Sequence, residues 1–336
     1  MTPGLLDRQL LFVSGKGGVG KTTVAAALAS LGTASGRSTL ACEMDAKGAL
    51  AAALGCDAAA VGFDAVEVRP GLSAMAMNTE DSLREYLRVV ARVPLIGRIG
   101  PLARTFDFVA DAAPGVKEIL AIGKVCWEVR ERHYDLVVVD AEASGHVVAQ
   151  LSSPRVIRDL VRVGMVREQV EWMLELLHDP QRTGLVVVTT PEEMPVSESL
   201  DLLGRVGRET AVSPAAIVVN RMPPQWFQPA DAALLERLGS SAGVAAVAES
   251  MGCATGDVGA VLDAAAVASR RRHAAVGHLD HLRAGLAAAG IDRRLPVLLV
   301  PEAVAPSSVP SSPPAATATP ASVCVAVTDS LAMELS

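Results

Sequence analysis

An octet near the amino end, Gly15-Lys16-Gly17-Gly18-Val19-Gly20-Lys21-Thr22, has residue types suited to gripping phosphate. It satisfies the spacing G-x-x-x-x-G-K-[ST], with an apolar run, Leu10–Ser14, before it and an alanine-rich helical stretch, Thr23–Ser35, after it. Glycines let backbone N–H groups curl around phosphate oxygens with no Cβ in the way. The helix that follows turns its positive end toward the same anion. In this arrangement Lys21 reaches the β- and γ-phosphates and the Thr22 hydroxyl ligates Mg²⁺. Lys16 is a second lysine at the start of the loop, where folding back onto phosphates held by its own backbone is difficult. It reads either as a solvated surface lysine or as a cation that crosses a dimer interface to the partner's nucleotide.

Two carboxylates stand at strand ends. Asp45 closes the second strand region, in Glu43-Met44-Asp45-Ala46-Lys47-Gly48, and Asp140 closes Leu136-Val137-Val138-Val139. In a parallel sheet the carboxyl ends of the strands line the crevice that holds the ligand. A carboxylate there can hold Mg²⁺ or orient the attacking water, and it can equally serve as a helix cap.

The elements that must carry these groups are legible as short β-branched runs between helical patterns. The runs are Leu10–Ser14, Ser38–Glu43, Leu136–Asp140, Leu185–Thr189, Ala216–Asn220 and Val297–Val300. Near-continuous apolar strands are buried on both faces, so the fold expected is α/β, doubly wound on a mainly parallel sheet. Val66–Val68 and Leu72–Ala76 flank Arg69-Pro70-Gly71 as a hairpin or as adjacent edge strands. Helical stretches over about 80–132 and 152–180 read as an inserted helical subdomain. Residues 302–336, rich in Pro, Ser, Ala and Thr, read as a disordered tail behind a domain spanning 8–301.

Composition limits the partners. The 336 residues are 50% hydrophobic and 20% charged, with a formal net charge of −7, which disfavours a surface built to neutralise nucleic acid. The five cysteines are scattered, with no C-x-x-C, and read as reduced thiols of a cytoplasmic protein. No uncharged apolar run is long enough to span a bilayer, so no integral membrane span is expected.

The run from Gly15 through Thr23 resembles the deviant phosphate loop of the ArsA-type ATPases. That family takes in arsenite-pump ATPases and the targeting ATPases for tail-anchored proteins, and is related to partition ATPases and nitrogenase iron proteins. The resemblance implies a P-loop NTPase fold, Mg-ATP as ligand, and a nucleotide-sandwich dimer in which Lys16 acts in trans. It also implies that Asp45, in Asp45-Ala46-Lys47-Gly48-Ala49-Leu50, positions the hydrolytic water. Asp140-Ala141-Glu142-Ala143-Ser144-Gly145-His146 aligns with the second switch, keeping Ser-Gly-His but gaining Glu142. Asn220 falls where the family reads adenine, and Pro301 where its adenine-packing loop begins. The absence of a basic carboxyl-terminal helix, of a basic face and of paired cysteines leaves the arsenite-pump and targeting branch. The partner expected is a second copy or a paralogous ATPase, with a hydrophobic segment or membrane protein as client contacting Tyr86–Val129. The altered switches also admit a weakly hydrolysing regulatory subunit that acts by pairing with a paralogue.

Overall fold

A computed structural model describes residues 4–45, 47–77, 116–161, 163–291, 294–303 and 319–335. In chain order its strands are β1 (Leu10–Gly15), β2 (Thr39–Glu43), β3 (Val66–Arg69), β4 (Leu72–Ala76), β5 (Leu136–Asp140), β6 (Thr183–Thr189), β7 (Pro214–Met222) and β8 (Val297–Pro301). They form one sheet in the order β3-β4-β2-β5-β1-β6-β7-β8. Every neighbouring pair is parallel except β3 and β4, which take the hairpin alternative at the edge. The chain passes from β1 to β2 on one side of the sheet and later crosses from β5 to β6 on the other side of β1, so the crevice at the carboxyl end of β1 is the topological switch point where such sheets bind ligands.

Strand periodicity divides the core into two layers. Leu10 and Phe12 of β1, with Val137 and Val139 of β5, belong to one buried cluster, while Leu11, Val13 and Val138 belong to the other. Side chains alternate across a strand, so a run that is apolar at every position must be covered on both faces.

The helices supply that cover. In chain order they are α1 (Lys21–Ala34), α2 (Ala49–Leu54), α3 (Val116–Arg130), α4 (Ser144–Leu160), α5 (Met165–His178), α6 (Glu193–Glu209), α7 (Ala232–Leu238), α8 (Ser241–Met251), α9 (Thr255–Ala288) and α10 (Pro320–Leu335). Helices α1, α2 and α10 contribute to one layer. Helices α3 to α6 and the second half of α9 contribute to the other. Alanine on the buried face of α1 permits close approach to the sheet; a Cβ on its Gly32 would lie 2.5 Å from Leu136 Cδ2.

Two expectations change. Residues 320–335 of the expected disordered tail form a helix. The Thr319 hydroxyl caps it by accepting from the Ser322 amide at 3.2 Å, and Pro320 begins it, where a missing N–H costs nothing. Cys324, Val327 and Leu331 recur at helical spacing and are buried against the α1 layer. Composition alone obscured this stripe. Leu331→Ala should therefore cost about 2–5 kcal/mol of stability, read as a lowered denaturant midpoint. A substitution no more harmful than one at exposed Met333 would show that α10 is not part of the folded unit.

Much of the described part of the expected helical subdomain belongs instead to the main core, although Val156, Leu160 and Val163 are exposed. Ile122, Val125, Cys126 and Val129 of α3, and Val170, Met173, Leu174 and Leu177 of α5, pack in the same cluster as the strands. The part of Tyr86–Val129 that is described, from Val116, therefore covers the sheet, and residues 78–115 lie outside the described residues. The helical element with a largely exposed surface is α7, α8 and the first half of α9, where Ala248 and Val258 are the buried apolar residues. Among the described residues no single helix is long and apolar enough to cross a membrane. The pair α8 and α9 meets that requirement only when joined, and it is bent by 118°.

Candidate nucleotide site

The site is assembled at the carboxyl ends of β1, β2 and β5. The sheet register places Val13 and Glu43 on either side of Asp140, so the phosphate loop leaves β1 two residues beyond a strand-end carboxylate. Gly20 closes the loop at φ 95°, a left-handed conformation that favours glycine, and a Cβ there would lie 2.4 Å from Asn220 Nδ2. Helix α1 starts at the next residue, and the first intrahelical amide bond runs from Val24 to Gly20 O. The amides before Val24 have no intrahelical acceptor and are available to an anion. Among the described residues no heavy atom beyond the immediate neighbours lies within 4 Å of the Cβ position of Gly17 or Gly18, so the loop is open where phosphate would approach.

Beside the loop is a cavity of about 390 Å³. Gly17, Lys21 and Thr22 line it from the loop, and Glu43, Asp45 and Lys47 from the β2–α2 connection. Asp140, Glu142 and His146 line it from the β5–α4 connection. Thr22 Oγ1 donates to Asp140 Oδ2 at 2.6 Å. Asp140 Oδ1 is buried and, among the described residues, has no hydrogen-bond partner. Burial, with Glu43 alongside, pushes the Asp140 carboxyl up to about 6, against the opposing pull of the Thr22 hydroxyl and the Lys21 ammonium. Burial likewise lowers Lys21, whose Nζ donates to Lys16 O at 3.2 Å. A threonine hydroxyl, a carboxylate with one idle buried oxygen and a neighbouring ammonium suit a hard, oxygen-ligated cation next to phosphate.

The other expected residues lie around this centre. Asp45 forms an ion pair with Lys47 at the exposed rim. Lys16 does not line the cavity, and its Nζ pairs with Glu198 Oε1 on α6 at 2.7 Å. Asn220 is buried beneath the loop, donating from Nδ2 to Val19 O at 2.8 Å and accepting from the Arg221 amide at 2.9 Å. In this state its amide braces the phosphate loop. Pro301 ends β8 in register with Met222, also outside the cavity lining.

Two carboxylates with clear contacts were not singled out from the sequence. Glu43 accepts from the amides of Gly48 and Ala49 at 3.1 and 3.0 Å, fixing the start of α2 and the loop that carries Asp45. An acid shortly before a helix that lacks its own capping side chain is the signal that could have found it. Glu198 is 182 residues from Lys16, a separation that no local spacing reveals.

A parallel sheet opening at a glycine loop, with a threonine–aspartate pair beside the loop lysine, defines a P-loop nucleotide-binding protein. Residues 8–171 match the family model described as anion-transporting ATPase. ATPase BagA of Mycobacterium tuberculosis is 30% identical over 236 residues, covering 67% of this chain and 68% of that protein. ATPase get3 of Schizosaccharomyces japonicus is 32% identical over 165 residues, covering 46% and 49%. ATPase GET3B of Arabidopsis thaliana is 24% identical over 268 residues, covering 65% of each chain. The chain belongs to the ArsA-type anion-transporting ATPase family and is an ATP hydrolase.

Proposed function

We propose that the chain hydrolyses Mg-ATP at the interface of two subunits and uses the reaction to rearrange its switch loops and helices for a partner or client. The observation that carries the reading is the buried Asp140 carboxylate, bonded to Thr22 through one oxygen and idle at the other. That pair is suited to hold Mg²⁺, which when bound neutralises charge on the phosphates. Gly15 to Thr23 supply the amide cradle, and Lys21 breaks its bond to Lys16 O to reach the β- and γ-phosphates. Asp45 leaves Lys47 to orient water. Asn220 and Pro301 border the adenine. Lys16, about one-quarter exposed in its pair with Glu198, is released to the partner's nucleotide when two subunits meet. The partner is a second copy or a paralogous ATPase, the client a hydrophobic segment or membrane protein, and the compartment the cytoplasm.

The Asp45–Lys47 ion pair favours a second reading, in which the isolated chain hydrolyses weakly and a paralogue supplies what is missing. One experiment separates the two: light scattering and phosphate release, each with Mg-ATP and with Mg-ADP. The first reading expects ATP-dependent doubling of mass together with phosphate release. It also expects Lys16→Ala to bind nucleotide yet lose turnover by about 10²-fold or more, the range for a trans-acting cation. A monomer that hydrolyses at full rate with Ala at position 16 would contradict both readings.

A further inference from the structure

Four carboxylates meet the cavity, and three have evident engagements. Glu43 uses both oxygens on the Gly48 and Ala49 amides. Asp140 is bonded to Thr22 and stands where a cation fits. Asp45 is paired with Lys47 at the rim.

Glu142 is held differently. Its Oε1 accepts from the amide of Gln150, a buried residue of α4, at 3.0 Å. A carboxylate can only accept, so this bond fixes which oxygen is engaged. Oε2 lies 3.6 Å from His146 Nδ1, within ion-pair distance but beyond hydrogen-bond range, and the side chain is one-third exposed. The Glu142 backbone is also tied to the strand that carries the phosphate loop. Ser14 Oγ donates to Glu142 O at 2.7 Å, and the Ala141 amide donates to Val13 O at 3.0 Å. The carboxylate is thus fixed in relation to Gly15–Thr22 without any loop closure, whereas Asp45 must first leave Lys47.

We infer that Glu142 is a catalytic base of the hydrolysis, a role that rests on the cavity being the ATP site proposed above. The water oxygen bonds to the γ-phosphorus as the bond from that phosphorus to the β–γ bridging oxygen breaks, and ADP leaves with the electron pair. The proton lost by the water passes to Glu142 Oε2 and from there to the phosphate product or to solvent. A base already oriented loses no rate to reorganisation, and general-base catalysis is worth about 10²–10⁴-fold. Glu142, which departs from the family's switch, then adds a proton acceptor to the site.

The test compares the parent chain with Glu142→Gln and Glu142→Asp. Turnover is measured under conditions in which the parent hydrolyses, with its paralogue if one is needed. Affinity for a slowly hydrolysed ATP analogue with Mg²⁺ and the identity of the nucleotide recovered from the protein after a chase are read alongside. Gln keeps the shape and can still accept from Gln150, so a purely structural role survives the change. The expected result is a fall in kcat of about 10²-fold or more for Glu142→Gln, analogue affinity within about twofold of the parent, and ATP instead of ADP recovered from the chase. Glu142→Asp should lie between. A fall of less than tenfold, or one matched by an equal loss of affinity, overturns the role of Glu142. A parent chain that binds no analogue overturns the site itself, so the two failures are distinguishable.

Discussion

Lys21→Ala protein will turn over ATP about 10³-fold more slowly than the parent chain, or not measurably, while remaining folded. Lys21 lies in the first turn of α1, lines the cavity and, among the described residues, is bonded only to a loop carbonyl, Lys16 O. Losing that contact removes no core packing, because the buried face of α1 begins at Val24. What is lost is the one loop ammonium placed within electrostatic reach of Asp140. In a site partly withdrawn from water, such a charge stabilises the transferring phosphoryl group far more than it would in bulk solvent. Phosphate release and thermal unfolding measured together check this. Turnover within tenfold of the parent would remove Lys21 from the reaction.

Asp140→Asn should stabilise the nucleotide-free protein at neutral pH while abolishing hydrolysis. The folded chain holds the Asp140 carboxyl at about 6 against an ordinary 3.8. Between roughly pH 4 and 6 the folded state keeps a proton that the unfolded state has released, so stability falls as pH rises through that window. Above about pH 6 the full penalty is present, on the order of 3 kcal/mol for two pH units, and below about pH 4 it is absent. Asparagine carries no charge to desolvate and can still accept from Thr22. Its midpoint in denaturant should therefore exceed the parent's at pH 7.5 and converge on it near pH 4. The variant should also lose the stabilisation that Mg-nucleotide gives the parent. Equal midpoints at pH 7.5 would mean that Asp140 is not strained by burial.

What could be read in advance followed from local patterns. Six apolar runs became strands because a strand buried on both faces has few other sequences available to it, and the glycine loop carries its own context. Asp140 was found because it ends such a run. Features set by distant partners were not legible. The bond from Asn220 to Val19 spans 201 residues, and the pair between Lys16 and Glu198 spans 182. Helix α10 was missed for another reason. Its buried stripe of Cys324, Val327 and Leu331 follows a Pro- and Ser-rich stretch whose composition masks the helical spacing. The helices over 116–130 and 165–178 were recognised as helical, but only their burial assigns them to the core.

In the proposed function the loop at Gly15–Thr22 and the Thr22–Asp140 pair together hold a magnesium-bound adenine nucleotide. Isothermal calorimetry with Mg²⁺ and a slowly hydrolysed ATP analogue tests it most directly. Saturable heat with a Kd of about micromolar, lost in Lys21→Ala and weakened without Mg²⁺, is the predicted result. No heat at any analogue concentration up to about millimolar would contradict it.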